Sequence, residues 1–418
     1  MKAEQLKKAK SILIYGYGVE GQSTEKFLTH HFPNLQIHIF DDHREEFSRI
    51  TDLNTFDFIF RSPGVPIRKL QNIPAEKITS QTEFFLENIS EEERRKTVGI
   101  TGTKGKSTTT KFCQELLQNA GKNVAIAGNF GVPPLDLLPD LPQYDFIIAE
   151  LSSFQLEFVK QSPHIAIFLN LFPDHLERHK TVDEYFRAKS NLWRHQQEED
   201  VLIVPEKTGL KIDFSWIHAR LVLSPPLPKS IFPENSVFRA DHFRENLGTI
   251  QSLCEILKIS EEIVEKTARN FKGLPHRMEL FAEKNGVRFV NDSIASNQGA
   301  SLAAVKFFKN DLGSILLGGR PSGDNWNCLL TFLKDETESL LLLPDGESFD
   351  AITQTLRDIQ FPEKRILHRQ NFEDIVRTGI SMTPKGKICL LSPGAKSFDL
   401  FADYQERGNT FKSIVLSA

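Results

Sequence analysis

The chain has 418 residues, which at about 150 per domain makes room for two or three folded cores. Its 51 Lys and Arg stand against 55 Asp and Glu, a net charge of −4, which excludes a dedicated nucleic-acid binder, since that needs a basic excess to displace counterions. Hydrophobic residues at 39%, with 33 Phe among them, exclude a disordered chain, and no apolar run nears the ~18 residues of a bilayer span. The opening stretch MKAEQLKKAKSILIYGYG is basic, but its apolar part is short and no small-residue cleavage site follows. No signal peptide is expected. Cys113, Cys254, Cys328 and Cys389 lie far apart without CxxC spacing, which fits buried thiols in a reducing compartment. A soluble, cytoplasmic protein with neither membrane insertion nor a nucleic-acid partner is expected.

In chain order, short β-branched or aromatic runs alternate with helical stretches, the signature of parallel α/β domains. Residues Ser11–Tyr15 predict a strand, followed by a glycine-rich turn and a helix over Gln22–His30. Further strands are predicted at Gln36–Phe40 and Phe56–Phe60, the latter running into the turn SPGVP. The charged segment Ile89–Lys96 carries no strand signal and reads as a boundary. A strand at Thr97–Ile100, a second glycine-rich turn and a helix through Leu117 follow, then strands at Tyr144–Ala149 and His164–Leu169. The Pro-rich stretch Pro225–Pro233 reads as a loop outside the core. Another boundary falls near Gly273–Pro275, after which strands at Arg288–Asn291, Ser314–Leu317, Ser339–Leu343 and Ile388–Leu391 alternate with helices. The expected fold class is α/β with three domains: residues 1–92, 93–274 and 275–418. The outer two are expected to be Rossmann-like.

Gly16, Gly18 and Gly21 form a complete G-x-G-x-x-G between strand and helix, and Asp41 and Asp42 close the next strand. Such glycines let a backbone approach a pyrophosphate at a helix N-terminus while the acid reaches a ribose hydroxyl. Alone, this turn suits NAD or any nucleotide diphosphate, including a UDP-sugar. The run Thr101-Gly102-Thr103-Lys104-Gly105-Lys106-Ser107-Thr108 also follows a strand and opens a helix. Its Gly105-Lys106-Ser107 supplies the end of a P-loop: N–H groups cradle phosphates, Lys106 neutralises charge and Ser107 ligates Mg²⁺. The usual first glycine falls at Ile100, flanked here by Gly99 and Gly102. Glu150 ends a strand beside this loop and can serve as a metal-ligating acid. His175 and His179 stand four apart after the next strand, but HEXXH is absent and no cysteine is near, which argues against zinc. At the carboxyl edge of a P-loop sheet, His175 is a candidate for metal or substrate contact. Lys189, on a helical stretch, reads simply as a surface lysine.

Taken together, TGTKGKSTT, AGNFG, ELSSFQLE, NLFPDHLERH, FRAKSNLW, GLPHRME, NDSIASN, LGG and LSPGAKSFDLFADYQERGNTF resemble the Mur ligases of peptidoglycan synthesis. The resemblance covers essentially the whole chain. ELSSFQLE and the final segment are most similar to the D-glutamate-adding branch. The resemblance implies an N-terminal nucleotide-sugar domain, a central ATPase-like domain and a C-terminal amino-acid domain. It implies ATP and two Mg²⁺ sites, with UDP-N-acetylmuramoyl-L-alanine and D-glutamate as substrates of a monomeric enzyme. Catalytic roles would fall to Lys106, Glu150, His175 and Lys189, the last carrying a carbamate. Metal ligands would be Ser107, Glu150, His175 and the Lys189 carbamate. ATP would meet Gly102, Thr103, Lys104, Gly105, Lys106, Ser107, Thr108, Asn246, Arg277 and Asp292. The UDP-substrate would meet Gly18, Val19, Glu20, Asp41, Asp42, Gly64, Asn129 and Gln155. The incoming amino acid would meet Ser296, Ser322, Ser397, Phe398 and Tyr404.

Four positions depart from the family pattern: Phe243 follows His242 where Asn is usual, Glu20 replaces a small polar residue, and Ile294 and Ser322 stand where cations are usual. Charge-assisted contacts are roughly twice as strong as neutral ones, so losing two cations bears on the choice of amino acid. Arg320 or Lys396 can substitute from neighbouring turns. The implied reaction is ATP-dependent amide formation through an acyl phosphate, with closure of the C-terminal domain bringing ATP and amino acid together. Rival readings are a sister ligase adding another amino acid, a non-catalytic UDP-sugar-binding paralogue, and an NAD-dependent oxidoreductase. The last leaves the P-loop, Glu150 and His175 unexplained.

Overall fold

The computed structural model describes every residue except 45, 48, 49, 51, 210–212, 216, 235 and 322–324. The chain divides into two compact units, Met1–Phe271 and Lys272–Ala418. The first carries two parallel sheets. The smaller holds β1 (Ser11–Tyr15), β2 (Gln36–Phe40), β3 (Phe58–Arg61) and β4 (Ile78–Thr79) in the order β2-β1-β3-β4. Along β1, Ile12 and Ile14 enter one core while Leu13 and Tyr15 enter another, as a parallel strand covered on both faces requires. Tyr15 pairs with Phe40 on one side and Arg61 on the other. The turns after β1, β2 and β3 therefore leave the sheet together at its carboxyl edge, where parallel sheets take ligands.

The larger sheet holds β5 (Thr97–Thr101), β6 (Val124–Gly128), β7 (Phe146–Glu150), β8 (Ile165–Phe168), β9 (Val201–Pro205) and β10 (Arg220–Ser224), in the order β10-β9-β8-β5-β7-β6. From β5 the chain crosses to the edge strand β6, returns through β7 and then continues on the other side of β5 through β8, β9 and β10, so the direction of winding changes across β5. At the end of β5 the Gly102–Gly105 loop leaves the sheet. Register sets Ile100 beside Glu150 and Thr101 beside Phe168, so Glu150 and the segment after β8 flank this loop.

One segment behaves differently from its sequence reading. Pro225–Pro233, expected outside the core, contributes Leu227, Ile231 and Phe232 to the same buried cluster as Phe112 and Leu253. Prolines break regular hydrogen bonding without keeping the apolar side chains between them out of a core. Gly248 admits this loop, because a Cβ there would stand 2.1 Å from the Pro225 carbonyl oxygen. The charged segment 89–96 forms a short helix, Glu91–Arg95, closed by a Ser90–Glu93 capping box, and turns Arg94 inward.

Arg94 Nη1 lies 3.0 Å from Asp200 Oδ2, and His164 Nδ1 lies 2.7 Å from Asp200 Oδ1. Burial pushes the Asp200 carboxyl up, but hydrogen bonds from Arg94, the Gln197 N–H and His164 outweigh it and hold it below the usual range. The unfolded chain then takes up the proton more readily than the folded one. This contribution to stability is complete above about pH 4 and is lost as pH falls further. Urea unfolding of Asp200→Asn is therefore expected to lose less stability than the wild type between about pH 5 and pH 3. Equal losses would remove the ion pair from the acid response.

The second unit holds β11 (Glu279–Lys284), β12 (Val287–Asn291), β13 (Leu312–Leu316), β14 (Leu340–Pro344), β15 (Ile366–Arg369) and β16 (Ile388–Leu391), in the order β11-β12-β16-β13-β14-β15. All pairs are parallel except β11 with β12. The α/β class expected from alternation is the class observed. Cys113, Cys254 and Cys389 are buried, whereas Cys328 is exposed. No described helix is long and apolar enough to cross a membrane.

Candidate active site

The loop after β5 is shaped by one glycine and braced by two asparagines. Gly105 takes φ +84, and a Cβ there would stand 2.1 Å from Asn246 Nδ2, so both conformation and space demand glycine. Asn170 Oδ1 accepts from the Lys104 N–H at 2.8 Å, and Asn170 Nδ2 donates to the Lys104 carbonyl at 2.9 Å and to Asn246 Oδ1 at 3.1 Å. The Thr103 N–H adds a bond to the Asn170 carbonyl at 2.9 Å. The helix Lys106–Asn119 starts directly after Gly105, leaving the N–H groups of its first turn free of helical partners. With the helix dipole they favour an anion. Ser107 is half-buried and Thr108 buried on that turn, while Lys104 is exposed and lies 3.2 Å from Asp174 Oδ2.

Three of the sequence-predicted chemical groups gather beside this loop. Lys106 Nζ donates to the carbonyls of Gly102 at 3.0 Å and Thr103 at 3.1 Å, and Lys189 Nζ donates to the same Gly102 carbonyl at 2.8 Å. Lys189 is 1% exposed and so is not the surface lysine its helical position suggested. Burial first, then the neighbouring Lys106 ammonium, hold its amine well below the usual lysine range. A neutral buried amine can capture CO₂ and become an anionic carbamate. Glu150 is fully buried; Oε1 accepts from Asn129 Nδ2 at 2.8 Å, and among the described residues Oε2 has no hydrogen-bond partner. An unpaired carboxylate oxygen in a buried site is costly, and a cation would relieve it.

His175 sits at φ +53 with its ring 5.0 Å from Phe154 and 6.2 Å from Tyr185. Tyr185 links the parts: its ring lies 4.6 Å from Lys189 Nζ, and its hydroxyl donates to Thr103 Oγ1 at 3.3 Å. Among the described residues no three His, Cys, Asp or Glu side chains form a ready ion cage. Mg²⁺ asks for less, because it keeps several waters and shares phosphate oxygens. Ser107, the half-paired Glu150, His175 and a carbamate on Lys189 fit that modest donor set.

The carboxyl edge of the first sheet presents open turns in the same unit. Cβ atoms added at Gly18 and Gly64 would meet nothing within 4 Å, and Val19 is 73% exposed. Asp41 holds the glycine turn, its oxygens accepting from the N–H groups of Tyr17 at 2.7 Å and His43 at 2.9 Å. Asp42 pairs with Lys69 at 2.7 Å and accepts from the Tyr15 hydroxyl at 3.3 Å. Gln155 Nε2 donates to Glu20 Oε1 at 2.6 Å, joining the two sheets of the unit. Burial raises the Glu20 carboxyl, opposed by this hydrogen bond and by Arg61.

Residues 100–215 match the family model described as the Mur ligase middle domain. The UDP-N-acetylmuramoylalanine–D-glutamate ligase of Natranaerobius thermophilus is 32% identical over 411 residues, covering 90% of this chain and 86% of that protein. The protein of the same name from Alkaliphilus metalliredigens is 32% identical over 406 residues, with coverages of 91% and 87%. The chain belongs to the UDP-N-acetylmuramoylalanine–D-glutamate ligase family. The wider Mur fold is shared too. MurC of Thermotoga maritima gives a TM-score of 0.58 at 15% identity, covering 98% of this chain and 99% of that one. MurF of the same organism, solved with ADP, gives 0.56 at 16% identity, with coverages of 100% and 98%.

The remaining positions implied by the Mur resemblance lie in the second unit, apart from Phe243. There Asp292 is buried, accepts from Ser392 Oγ at 2.8 Å and from the Met278 N–H at 3.1 Å, and is raised by burial to about 6. Arg277 is half-buried nearby, close enough to oppose that rise. Ser296 is exposed, Ser397 buried and Phe398 59% exposed, while Tyr404 opens the helix Tyr404–Ser417. Ile294 is half-buried, and Ser322 lies outside the described residues. Arg320 and Lys396 are paired through their backbones at 2.8 and 2.9 Å, which sets the two candidate substitute cations side by side. Phe243 packs its ring 5.2 Å from Phe238, so it serves a core rather than offering a polar contact.

Sequence reasoning missed Asn170, Tyr185, Arg61, Glu157 and Arg178. Asn170, a polar residue just past a buried strand, was the one with a readable signal. The others depend on what packs against them.

Proposed function

We propose that this chain joins D-glutamate to UDP-N-acetylmuramoyl-L-alanine with consumption of ATP, in the cytoplasm and as a monomer. The observation that carries the reading is the convergence of Lys106 and Lys189 on the Gly102 carbonyl, beside a buried Glu150 with one unpaired oxygen. A carboxylate oxygen of the alanyl group attacks the γ-phosphorus, and ADP leaves. The amine of D-glutamate then attacks the carbonyl carbon of the acyl phosphate, loses a proton and expels inorganic phosphate. Lys106 and the first-turn N–H groups of its helix hold the phosphates and offset charge that develops during transfer.

Ser107 and Glu150 would hold one Mg²⁺, and His175 with the Lys189 carbamate a second; when bound, these ions neutralise phosphate charge. Asn246, behind Gly105, fixes the loop that receives ATP. Arg277 and Asp292 are assigned to the nucleotide. Gly18, Val19, Glu20, Asp41, Asp42 and Gly64 are assigned to the UDP moiety, Asn129 and Gln155 to the muramoyl-alanine part. Ser296, Ser322, Ser397, Phe398 and Tyr404 are assigned to D-glutamate.

Ile294 and Ser322 keep a second reading in view: a ligase of this type that adds another amino acid. Phosphate release with UDP-N-acetylmuramoyl-L-alanine, ATP, Mg²⁺ and a panel of amino acids separates the two. D-glutamate is expected to give the highest kcat/KM by at least about tenfold, the margin of one lost charged contact. D-glutamate ranking with the others would overturn the substrate assignment.

A further inference from the structure

Arg178 lies three residues after His175 and has no role in the reaction derived above, yet its guanidinium is almost wholly turned toward the other sheet of the unit. Nη2 donates to the Pro63 carbonyl at 2.9 Å and the Val65 carbonyl at 2.8 Å, and Nη1 donates to the Gly64 carbonyl at 3.1 Å. Glu157 Oε2 lies 3.5 Å from Nη2, and the guanidinium covers the Phe154 ring at 4.5 Å. Phe154 in turn touches His175 and stacks on His179 at 5.3 Å. Three consecutive carbonyls of one turn thus converge on a single side chain.

A planar trans peptide points its N–H away from its carbonyl. With the Pro63 carbonyl held by Arg178, the Gly64 N–H must face the opposite side. The Val65 N–H is used within the turn, on the Ser62 carbonyl at 3.0 Å, and Pro66 has none. Among the described residues no acceptor meets the Gly64 N–H, and Gly64 opens onto empty space. A rigid, planar fork can impose this orientation, which a flexible ammonium cannot.

We infer that Arg178 is a positioning residue: it presents the Gly64 N–H to the diphosphate of the nucleotide-sugar and ties that turn to the helix Leu176–His179 bearing the His175 site. This rests on the proposed function, and extends it by making one side chain of the ATP-side sheet responsible for nucleotide-sugar affinity. Arg61 supports the same knot, donating to Glu157 Oε2 at 2.6 Å and the Val65 carbonyl at 2.7 Å, but it does not reach Gly64.

The test is calorimetric titration of the full chain with UDP and, separately, with Mg²⁺-ATP. Arg178→Gln is expected to weaken UDP binding at least about tenfold, the effect of losing charged hydrogen bonds that hold a ligand donor, with ATP affinity within about twofold of wild type. Arg178→Lys keeps the charge above Phe154, and with it the fold, but cannot span three carbonyls; it must show the same selective loss to a smaller degree. In steady state the loss must appear in KM for UDP-N-acetylmuramoyl-L-alanine and not in KM for ATP. Unchanged UDP affinity in both variants, or UDP and ATP affinities falling together, would overturn the inference. A wild-type chain that binds no UDP would overturn the nucleotide-sugar reading itself.

Discussion

Lys106→Ala is expected to lower kcat by about 10³-fold or more, since one preorganised charge donor at a transferring phosphoryl group is worth that much. Its ammonium is held on the Gly102 and Thr103 carbonyls, inside a loop fixed by Asn170 and Asn246. Removing the side chain takes away these two hydrogen bonds but leaves the Asn170 bonds and the close packing of Gly105 on Asn246 to hold the loop. The variant must therefore fold and melt like the wild type while losing turnover, and phosphate release measured beside thermal unfolding checks both. Activity within a few-fold of wild type would remove the P-loop from the reaction.

Lys189→Ala is expected to cost about 10²- to 10³-fold in kcat, the scale of one group that stabilises transition-state charge. The distinguishing feature is rescue. If Lys189 acts as a carbamate, what is lost is an anionic carboxylate-like group, and acetate or formate diffusing into the vacated space must restore part of the rate. A primary amine must not. The burial of Lys189 and the ammonium of Lys106 beside it favour the neutral amine that reacts with CO₂. A Lys189→Ala chain that is fully active without additives would exclude the carbamate. Loss without rescue by any short carboxylate would assign Lys189 a structural or cationic part instead.

Periodicity and turn chemistry made the sheets readable but not their surroundings. Strands at Ser11–Tyr15, Gln36–Phe40 and Ile388–Leu391 coincide with the predicted runs, because short β-branched stretches bounded by glycine or charge have few alternatives. Expected at Phe56–Phe60, the third strand runs instead over Phe58–Arg61. A terminal arginine looks like a strand end until Glu157 and two backbone carbonyls are seen to bury it. The same physics hid Lys189, whose helical position was plain but whose cover, Tyr185 and the Gly102 carbonyl, was not. The G-x-G-x-x-G turn was legible as the link from a strand to a helix, whereas the bracing of that turn by Asp41 through the Tyr17 and His43 N–H groups was not. Contacts that join sheets distant in sequence, such as Gln155 to Glu20 and Arg178 to Gly64, leave no local pattern.

In the proposed reaction a carboxylate is activated by transfer of the γ-phosphoryl group before the amine attacks it. Running the reaction with both oxygens of the alanyl carboxylate labelled with ¹⁸O tests this activation directly, by mass spectrometry of the released phosphate. One labelled oxygen is expected in phosphate for each amide formed, because the oxygen that attacked phosphorus leaves with it. Amide formation with unlabelled phosphate would contradict this activation.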